Sequence, residues 1–241
     1  MAERLDQAMV DRGLVATRSQ AESYVKLGKV KVDGNVVEKP GLKIAKSAVV
    51  QITSRNRYVS RGGFKLESIA SKLGLGFHGM NVLDVGSSTG GFTDYALQHG
   101  AAKVVAVDIG TNQLAESLRT NSKIDLHEQT DIKAIKSLNT KINITLIDVS
   151  FTSIRPILLH LLRLIDPGSV VVAMVKPQFE AGAQLKHKGI IKNQKMRRNI
   201  FRDFEGWVKD NFKIIDKADS QVAGEKGNVE RFYKLVVLDR I

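Results

Sequence analysis

The feature of this chain that most restricts its fold is an apolar segment that runs into a glycine-rich turn. Residues Val82 to Phe92 read Val-Leu-Asp-Val-Gly-Ser-Ser-Thr-Gly-Gly-Phe, and a helical pattern follows. A second apolar segment, Val104 to Val107, ends in Asp108. A strand, a glycine turn, a helix, a second strand and an acid, in that order, predict a βαβ unit whose acid can accept both hydroxyls of a ribose.

The turn also indicates which nucleoside is bound. Gly86-Ser87-Ser88-Thr89-Gly90 is shorter than the G-x-G-x-x-G that a pyrophosphate requires. Asp84 lies two residues before the first glycine, where a carboxylate would repel a pyrophosphate but suits an ammonium group. The alternative is an ordinary glycine-rich βα loop with a solvated aspartate.

This turn resembles the first motif of methyltransferases that use S-adenosylmethionine (SAM). The resemblance implies that Asp84 faces the amino-acid end of SAM and that glycines let the backbone approach the ligand closely. We expect Asp108 to hold the ribose hydroxyls and Asp131, just after the third strand, to accept from the adenine amino group. The expected cofactor-binding residues are Asp84, Gly86, Ser88, Gly90, Asp108 and Asp131.

Composition excludes several classes of protein. The 241 residues include no cysteine, which excludes disulfides, thiolate metal sites and a thiol nucleophile. No apolar run approaches the roughly 18 residues of a membrane span, and the first residues contain acids where a signal peptide has none. We therefore expect a soluble, cytoplasmic chain.

Positive charge is unevenly distributed. The net charge is +12, and residues 1–65 hold thirteen lysines and arginines against six acids. A second basic run contains no acid and comprises Lys186, Lys188, Lys192, Lys195, Arg197, Arg198 and Arg202. The alternative is a set of solvated faces that serve solubility, but two basic regions around a cofactor domain favour a nucleic acid partner.

The first 55 residues form a unit of their own. Apolar spacing predicts a helix over residues 4–12, and Thr17 begins a capping box for a second helix. The Asp33-Gly34 pair predicts a hairpin, and residues 49–52 suggest another strand. Because this core is too small for an enzyme, we predict a docking module over 1–55, a linker over 56–62 and a larger domain over 63–241.

The module resembles the RNA-binding domain of the small-subunit ribosomal protein S-four. The motifs that carry the resemblance are Arg4-Leu-Asp, Arg12-Gly, Arg18-Ser-Gln-Ala, Gly28-Lys-Val-Lys-Val-Asp-Gly34 and Pro40-Gly41. The resemblance implies phosphate contacts from Arg4, Arg18, Ser19, Lys26, Lys29 and Lys31. In the second basic run, we expect Lys195, Arg197 and Arg198 to contact RNA on a loop and helix start between glycine hinges at Gly182 and Gly189.

The remainder alternates strands with helices, which predicts a doubly wound α/β sheet. Five parallel strands are expected near residues 81–85, 104–108, 124–128, 142–148 and 169–175, with helices that include 64–73 and 154–164. A C-terminal antiparallel pair is expected at 212–215 and 231–238. This arrangement matches the methyltransferase version of the fold, in which ligands bind beyond the carboxyl ends of the strands.

Four charged residues should meet at that edge. Asp148 ends the fourth strand, Lys176 follows the fifth, and Glu230 precedes the antiparallel last strand. Lys65 lies at the start of the helix before the first strand. Taken singly, each could cap a buried strand; together, beside a SAM turn, they are candidate catalytic residues.

The same four residues resemble the Lys-Asp-Lys-Glu set of ribose methyltransferases typified by FtsJ, and the whole chain resembles the TlyA family, also called haemolysin A. The motifs are Ser60-Arg-Gly-Gly-Phe-Lys65, Asp84 to Thr93, Asp148-Val-Ser-Phe151, Lys176-Pro-Gln-Phe-Glu180 and Gly227-Asn-Val-Glu230. The resemblance implies SAM-dependent 2′-O-methylation of cytidine ribose in ribosomal RNA. Since the chain has hardly any extension, like shorter family members, we expect the large-subunit RNA as substrate.

The expected mechanism centres on Lys176. A lysine at its ordinary pKa of about 10.4 is protonated and is no base. The positive charge of Lys65 and partial desolvation would favour a neutral amine, which could accept the ribose proton. Asp148 would hold that amine, Glu230 would fix Lys65 or the ribose, and no metal is required.

Three alternatives remain at this stage. Base methylation is disfavoured, because attack on a pyrimidine ring carbon needs a cysteine and Asp148-Val-Ser-Phe151 replaces the Asn/Asp-Pro-Pro-aromatic motif of amine methylation. A membrane-lytic haemolysin needs a strongly amphipathic or apolar segment, and none stands out. A catalytically inactive RNA-binding protein is disfavoured by the intact set of polar residues.

Overall fold

A computed structural model describes residues 2–15, 17–53, 58–181, 191, 193–222 and 228–239. They form a small N-terminal α+β module and a larger α/β unit. Much of the second basic run, including Lys186, Lys188, Lys192 and the glycines expected as hinges, lies outside the described residues.

The N-terminal module packs two helices against short strands. The helices are α1 (Leu5–Asp11) and α2 (Arg18–Lys26), and the Thr17 hydroxyl accepts the Gln20 N–H as the capping box predicts. Strand β2 pairs antiparallel with β3 across the predicted Asp33-Gly34 turn, and also with β5. The strands are β1 (Ala2–Arg4), β2 (Val30–Val32), β3 (Asn35–Val36), β4 (Lys43–Ala45) and β5 (Val50–Ile52).

The larger unit is built on a seven-stranded sheet in the order β11-β12-β10-β9-β6-β7-β8. Strand β12 runs antiparallel to both of its neighbours, β10 and β11, whereas β6 to β10 are parallel. The strands are β6 (Asn81–Val85), β7 (Lys103–Val107), β8 (Ile124–His127), β9 (Ile144–Ile147), β10 (Val170–Val175), β11 (Phe212–Asp219) and β12 (Arg231–Val237). The predicted fold class, a doubly wound sheet with an antiparallel C-terminal strand after a small α+β module, is confirmed.

Helices cover both faces of this sheet because strand residues alternate between two cores. Val82 belongs to a core with α3 and α4, and its neighbour Leu83 to a core with α6 and α8. The helices are α3 (Arg61–Ala70), α4 (Gly91–Gln98), α5 (Glu116–Arg119), α6 (Arg155–Leu161), α7 (Pro177–Glu180) and α8 (Gln194–Val208), with a 3₁₀ turn at Ile132–Ala134.

Helix α3 begins three residues earlier than the sequence pattern suggests, and the N-terminal module packs against it. The ring of Tyr24 in α2 packs edge-on against Phe64 at 4.7 Å between centroids, and Tyr58 packs against Phe64 at 5.0 Å. Lys29 pairs with Glu67 across the same contact. The N-terminal module and the sheet face that α3 and α4 cover therefore share one continuous apolar core.

Among the helices in the described ranges, none combines the length and hydropathy that a bilayer span requires.

Candidate active site

A cavity of about 570 Å³ opens at the carboxyl ends of β6, β9 and β10. This edge is the switch point of the sheet, because the chain continues from β6 to β7 on one side and β9 lies on the other. The start of α3 and the approach to β12 complete its wall. The predicted residues among its lining are Lys65, Asp84, Gly86, Ser88, Asp148, Lys176 and Glu230.

Two lysine–carboxylate pairs lie in this cavity. Lys176 Nζ lies 2.6 Å from Asp148 Oδ1 and donates to Ser150 Oγ at 2.7 Å. Lys65 Nζ donates to Glu230 Oε2 at 2.6 Å. The antiparallel β12 brings Glu230 to the same edge as Lys176, as the sequence predicts. Ser150 was not predicted as a partner, although it lies two residues beyond Asp148.

Each lysine is paired with a carboxylate of its own, Asp148 for Lys176 and Glu230 for Lys65, which are the pairings that the sequence analysis expects. The expected influence of the Lys65 charge on Lys176 stays a prediction. Both lysines are buried, with 8% of each residue exposed. Each lysine nitrogen therefore lies against a carboxylate in a weakly solvated site, where loss of one partner is strongly destabilising.

Asp84 is a buried carboxylate that is only half satisfied. Its Oδ2 accepts from the Thr93 hydroxyl at 2.7 Å, but within the described chain no donor reaches Oδ1. Burial raises the pKa of Asp84 to about 7, an effect that the Thr93 hydrogen bond opposes and the charge of Asp148 reinforces. A cationic donor in the cavity would complete this site, so the residue fits the ammonium of an amino-acid group.

Three further cavity residues carry buried polar atoms without a hydrogen bond among the described residues. These atoms are Ser87 Oγ, Gln178 Oε1 and Asp148 Oδ1, although the last lies 2.6 Å from Lys176 Nζ. Unsatisfied buried polar atoms are costly, and several in one cavity indicate a site shaped for a polar ligand.

The glycines of the turn are required by the protein itself. Gly86 and Gly90 have φ of 82° and 90°, in the left-handed region. A Cβ on Gly86 would lie 2.7 Å from the Asp148 carbonyl oxygen, and one on Gly90 would lie 2.5 Å from Leu118 Cδ1. Close packing inside the fold is therefore a sufficient reason for these glycines, in addition to the ligand approach expected from the sequence.

Asp108 links the turn to the next strand. Its Oδ2 accepts the Ser88 N–H at 2.8 Å and its Oδ1 accepts the Gly110 N–H at 2.7 Å. The carboxylate thus stands at the tip of β7, beside the turn, where a ribose is expected.

Three predicted cofactor residues, Gly90, Asp108 and Asp131, are not among the residues that line the cavity. Asp131 has other partners. It caps the 3₁₀ turn, since its Oδ1 accepts the Lys133 N–H at 2.9 Å, and it pairs with Lys133 Nζ at 3.2 Å. The ordinary function of an aspartate in a βα turn therefore accounts for its placement.

Glu128 organises the loop after Asp108 and was missed by sequence reasoning. Its carboxylate accepts the N–H groups of Asn112, Gln113 and Leu114. The pKa of Glu128 is lowered to about 2, mainly by the hydrogen bond that the Arg119 guanidinium donates. No local sequence motif predicts these contacts, because the loop that Glu128 holds lies well before Glu128 in the chain.

Phe151 is the most exposed large apolar residue in the described chain, at 93%. It lies at the mouth of the cavity, its φ is 67°, and its ring centroid is 5.6 Å from that of Phe179. A bulky residue at positive φ is strained, which marks this loop as shaped for a purpose.

Two of the predicted RNA contacts in the module share a buried acid. Arg4 and Arg18 each place a guanidinium on Asp6 Oδ2, at 2.8 and 2.9 Å, while half of each side chain remains exposed. The pKa of Asp6 is lowered to about 2, mainly by the hydrogen bonds that Arg4 donates. These arginines are held in place and face solvent.

The remaining predicted contacts differ in what they touch. Lys26 and Lys31 are partly exposed, and the side chain of Ser19 lies outside the described residues. Lys29 is drawn into the contact with α3 by Glu67, so the structure gives it an internal partner.

The start of α8 divides in the same way. Lys195 and Arg198 are exposed. Arg197 pairs with Asp219 and lies over the Phe201 ring at 5.4 Å, with 17% of its side chain exposed. Its observed partners are therefore internal.

A doubly wound sheet with one antiparallel strand, and a lysine- and carboxylate-lined cavity at its switch point, defines the class of Rossmann-like methyltransferases. Comparisons with known proteins agree. An FtsJ-like methyltransferase family model matches residues 58–236, and an S4 domain model matches residues 3–50. The chain therefore belongs to the FtsJ-like methyltransferase family.

Individual relatives match over most of the chain. A Bacillus subtilis protein provisionally named rRNA methyltransferase YqxC is 39% identical, over 95% of this chain and 83% of its own length. The 23S rRNA (cytidine-2′-O)-methyltransferase TlyA of Campylobacter jejuni is 41% identical, over 73% of this chain and 70% of its own.

A solved structure from Streptococcus thermophilus, described provisionally as a hemolysin, has a TM-score of 0.74 and 36% identity, and covers 99% of this chain and 89% of its own. The methyltransferase family match means that the haemolysin alternative is not favoured, despite that name.

Proposed function

We propose that this protein transfers a methyl group from SAM to the 2′-hydroxyl of a cytidine in ribosomal RNA, with large-subunit RNA as its substrate. The observation that carries the proposal is the cavity itself. It combines two lysine–carboxylate pairs, whose lysines are buried, with a buried aspartate that lacks one partner among the described residues. The name of the Campylobacter relative supports the choice of substrate.

SAM would supply an activated methyl group on a sulfonium. Asp84 would hold its ammonium, because Oδ1 is buried and without a donor in the described chain. Ser87, Ser88 and the adjacent backbone would border the amino-acid end, and Asp108 would take the ribose hydroxyls. Asp131 is the least supported member of the predicted set, because its carboxylate caps the 3₁₀ turn and pairs with Lys133.

Lys176 would act on the target hydroxyl. Lys176 must first release its ammonium proton to solvent; as the oxygen–carbon bond forms and the carbon–sulfur bond breaks, the hydroxyl proton then passes to its neutral amine and a neutral thioether leaves. Asp148 and Ser150 hold that nitrogen in place. Lys65 and Glu230 form a second fixed pair that would orient the ribose, so alignment supplies much of the acceleration.

Phe151 would receive the target base. An exposed ring at the cavity mouth offers a stacking face, and such contacts are worth about 1–3 kcal/mol per base. Arg4 and Arg18 on the module, with Lys195 and Arg198 on α8, would hold the RNA through its phosphates.

The test is transfer of labelled methyl by the purified chain to large subunits, small subunits and the free RNAs. We expect label in 2′-O-methylcytidine from the large-subunit RNA. Label on a base would overturn the ribose assignment, and label confined to the small subunit would overturn the choice of RNA. SAM binding without transfer to any of these substrates would favour the inactive RNA-binding alternative.

A further inference from the structure

Two chain segments leave neighbouring parallel strands and are fastened to each other twice. One is the Phe151 loop, residues 148–154, after β9; the other is the segment 176–180 after β10. At the cavity end, Lys176 joins Asp148 and Ser150. At the far end, the carboxylate of Glu180 accepts the Ile154 N–H at 2.7 Å and the Ser153 hydroxyl at 2.8 Å.

Glu180 is a firm anchor because it is buried and fully used. Its side chain is 2% exposed, and Arg155 Nε lies 3.4 Å from Oε2. Each carboxylate oxygen therefore has a donor, and a nearby guanidinium balances the charge. Hydrogen bonds to an ionised acceptor are about twice as strong as neutral ones.

The strained residue lies between these two fastenings. Phe151 has a φ of 67°, although it is bulky and 93% exposed, so its own packing does not account for that conformation. Such a backbone costs about 1–3 kcal/mol and persists only where the surroundings determine it. The fastenings at both ends of the loop provide that determination.

We propose that Glu180 is a positioning residue for methyl transfer: it clamps the Phe151 loop so that a stacked base places its ribose on Lys176. This inference rests on the proposed function for its substrate, but the clamp itself is a property of the loop. The side-chain contacts of Glu180 are with Ser153, Ile154 and Arg155 and not with the cofactor turn or the lysine pairs. Its backbone N–H donates to the Lys176 carbonyl at 3.3 Å, a bond that an alanine keeps, so removal of the carboxylate acts through Phe151.

A double-mutant cycle tests the clamp in the full-length protein. Glu180→Ala and Phe151→Ala should each lower kcat/KM for RNA by about tenfold, as a misplaced substrate does, and should leave SAM affinity within about twofold. The double variant should be no more than about twofold worse than Phe151→Ala, because without the ring the clamp has nothing to position. Losses that multiply would overturn the inference.

Two further variants separate positioning from folding. Glu180→Gln keeps an acceptor for the Ile154 N–H, and its amide can donate to the Ser153 oxygen in place of the bond that Oε2 accepts, so it should recover part of the activity lost in Glu180→Ala. Glu205→Ala removes a carboxylate that accepts from Lys217 and Tyr233, away from both segments. It should lower thermal stability yet leave kcat/KM for RNA near wild type.

A second readout needs no methylation. Phe151→Trp in a Trp207→Phe background places the only tryptophan on the loop. Glu180→Ala should lower its fluorescence anisotropy, whereas Glu180→Gln and Glu205→Ala should not. If wild type transfers no methyl group, the proposed function fails while this result still decides the clamp; unchanged anisotropy in Glu180→Ala would overturn the clamp itself.

Discussion

Asp6 in the module and Asp84 in the cavity are both fully buried carboxylates, yet they are partnered in opposite ways. Asp6 accepts from two arginines and the Gln7 N–H, and its pKa lies at about 2. Among the described residues, Asp84 accepts from Thr93 alone, and burial raises its pKa to about 7. Asp6, with all its partners in the protein, therefore stabilises the fold, whereas Asp84 retains an acceptor atom for a ligand.

The same contrast applies to whole regions. In the module, ion pairs hold exposed arginines in place, so breaking them should affect stability and RNA affinity. In the cavity, charged pairs face the reacting groups, so breaking them should affect turnover or cofactor affinity first.

The largest effect should come from Lys176. Lys176→Ala should lower the methylation rate by about 100-fold or more, the usual contribution of a positioned acid or base. SAM and RNA binding should remain near wild type, because the residue acts in the transition state. Single-turnover kinetics with binding measured in parallel would check this.

Lys176→Arg separates two roles of that residue. A guanidinium keeps its proton at any working pH, so this variant should be as inactive as the alanine variant. Full activity in Lys176→Arg would contradict the general-base role and leave Lys176 as an electrostatic clamp.

Asp84→Asn should have the next largest effect, on SAM. Loss of a charged hydrogen bond costs about 1.5–3 kcal/mol, or roughly 10- to 100-fold in affinity. In wild type, SAM affinity should rise as the pH rises through about 7, since the ammonium pairs with ionised Asp84. Calorimetry across pH would check both, and a pH-independent affinity would contradict the pairing.

The same residue predicts an opposite change in stability. The pKa of Asp84 is higher in the folded state than its ordinary value of 3.8, so its contribution is present below about pH 4 and is lost as the pH rises through about 7. Without SAM, Asp84→Asn should therefore be more stable than wild type at pH 8. Equal or lower stability there would show that burial of the ionised Asp84 carboxylate does not destabilise the SAM-free protein.

Asp6→Asn should give a smaller effect of the other kind. It should lower stability by about 1–3 kcal/mol, as loss of a buried charged acceptor does. Because the pKa of Asp6 is lowered, its contribution is present above about pH 4 and is lost as the pH falls through about 2. Urea unfolding would measure it, with SAM affinity unchanged as the control; a loss of SAM affinity would break the proposed contrast.

The smallest effects are expected at two neighbouring arginines of α8, one on RNA binding and the other on stability. Arg198→Ala should weaken RNA binding and reduce its salt dependence by about 0.7–0.9 in log–log slope, without loss of stability. Arg197→Ala should lower the thermal midpoint instead, because Asp219 loses a partner. The reverse pattern would mean that exposure on α8 is a poor guide to RNA contact.

Sequence reasoning succeeded where one local rule decides a position. The carboxyl ends of parallel strands predict that Asp148 and Lys176 share an edge, and one antiparallel strand adds Glu230 to it. It does not predict contacts that depend on a distant partner. Lys29 and Arg197 look like surface charges until Glu67 and Asp219 are in place, and Glu180 and Glu128 find their donors in other loops. Strands β1 and β4 contain at most one buried residue each, so no alternation of apolar residues marks them.

The most direct test of the account is mass mapping of ribose methylation in ribosomal RNA from cells with this chain, without it, and with Lys176→Ala in its place. The account predicts a 2′-O-methylated cytidine in the large-subunit RNA that appears only with the wild-type chain. An identical methylation map in all three, or a mark retained with Lys176→Ala, would contradict it.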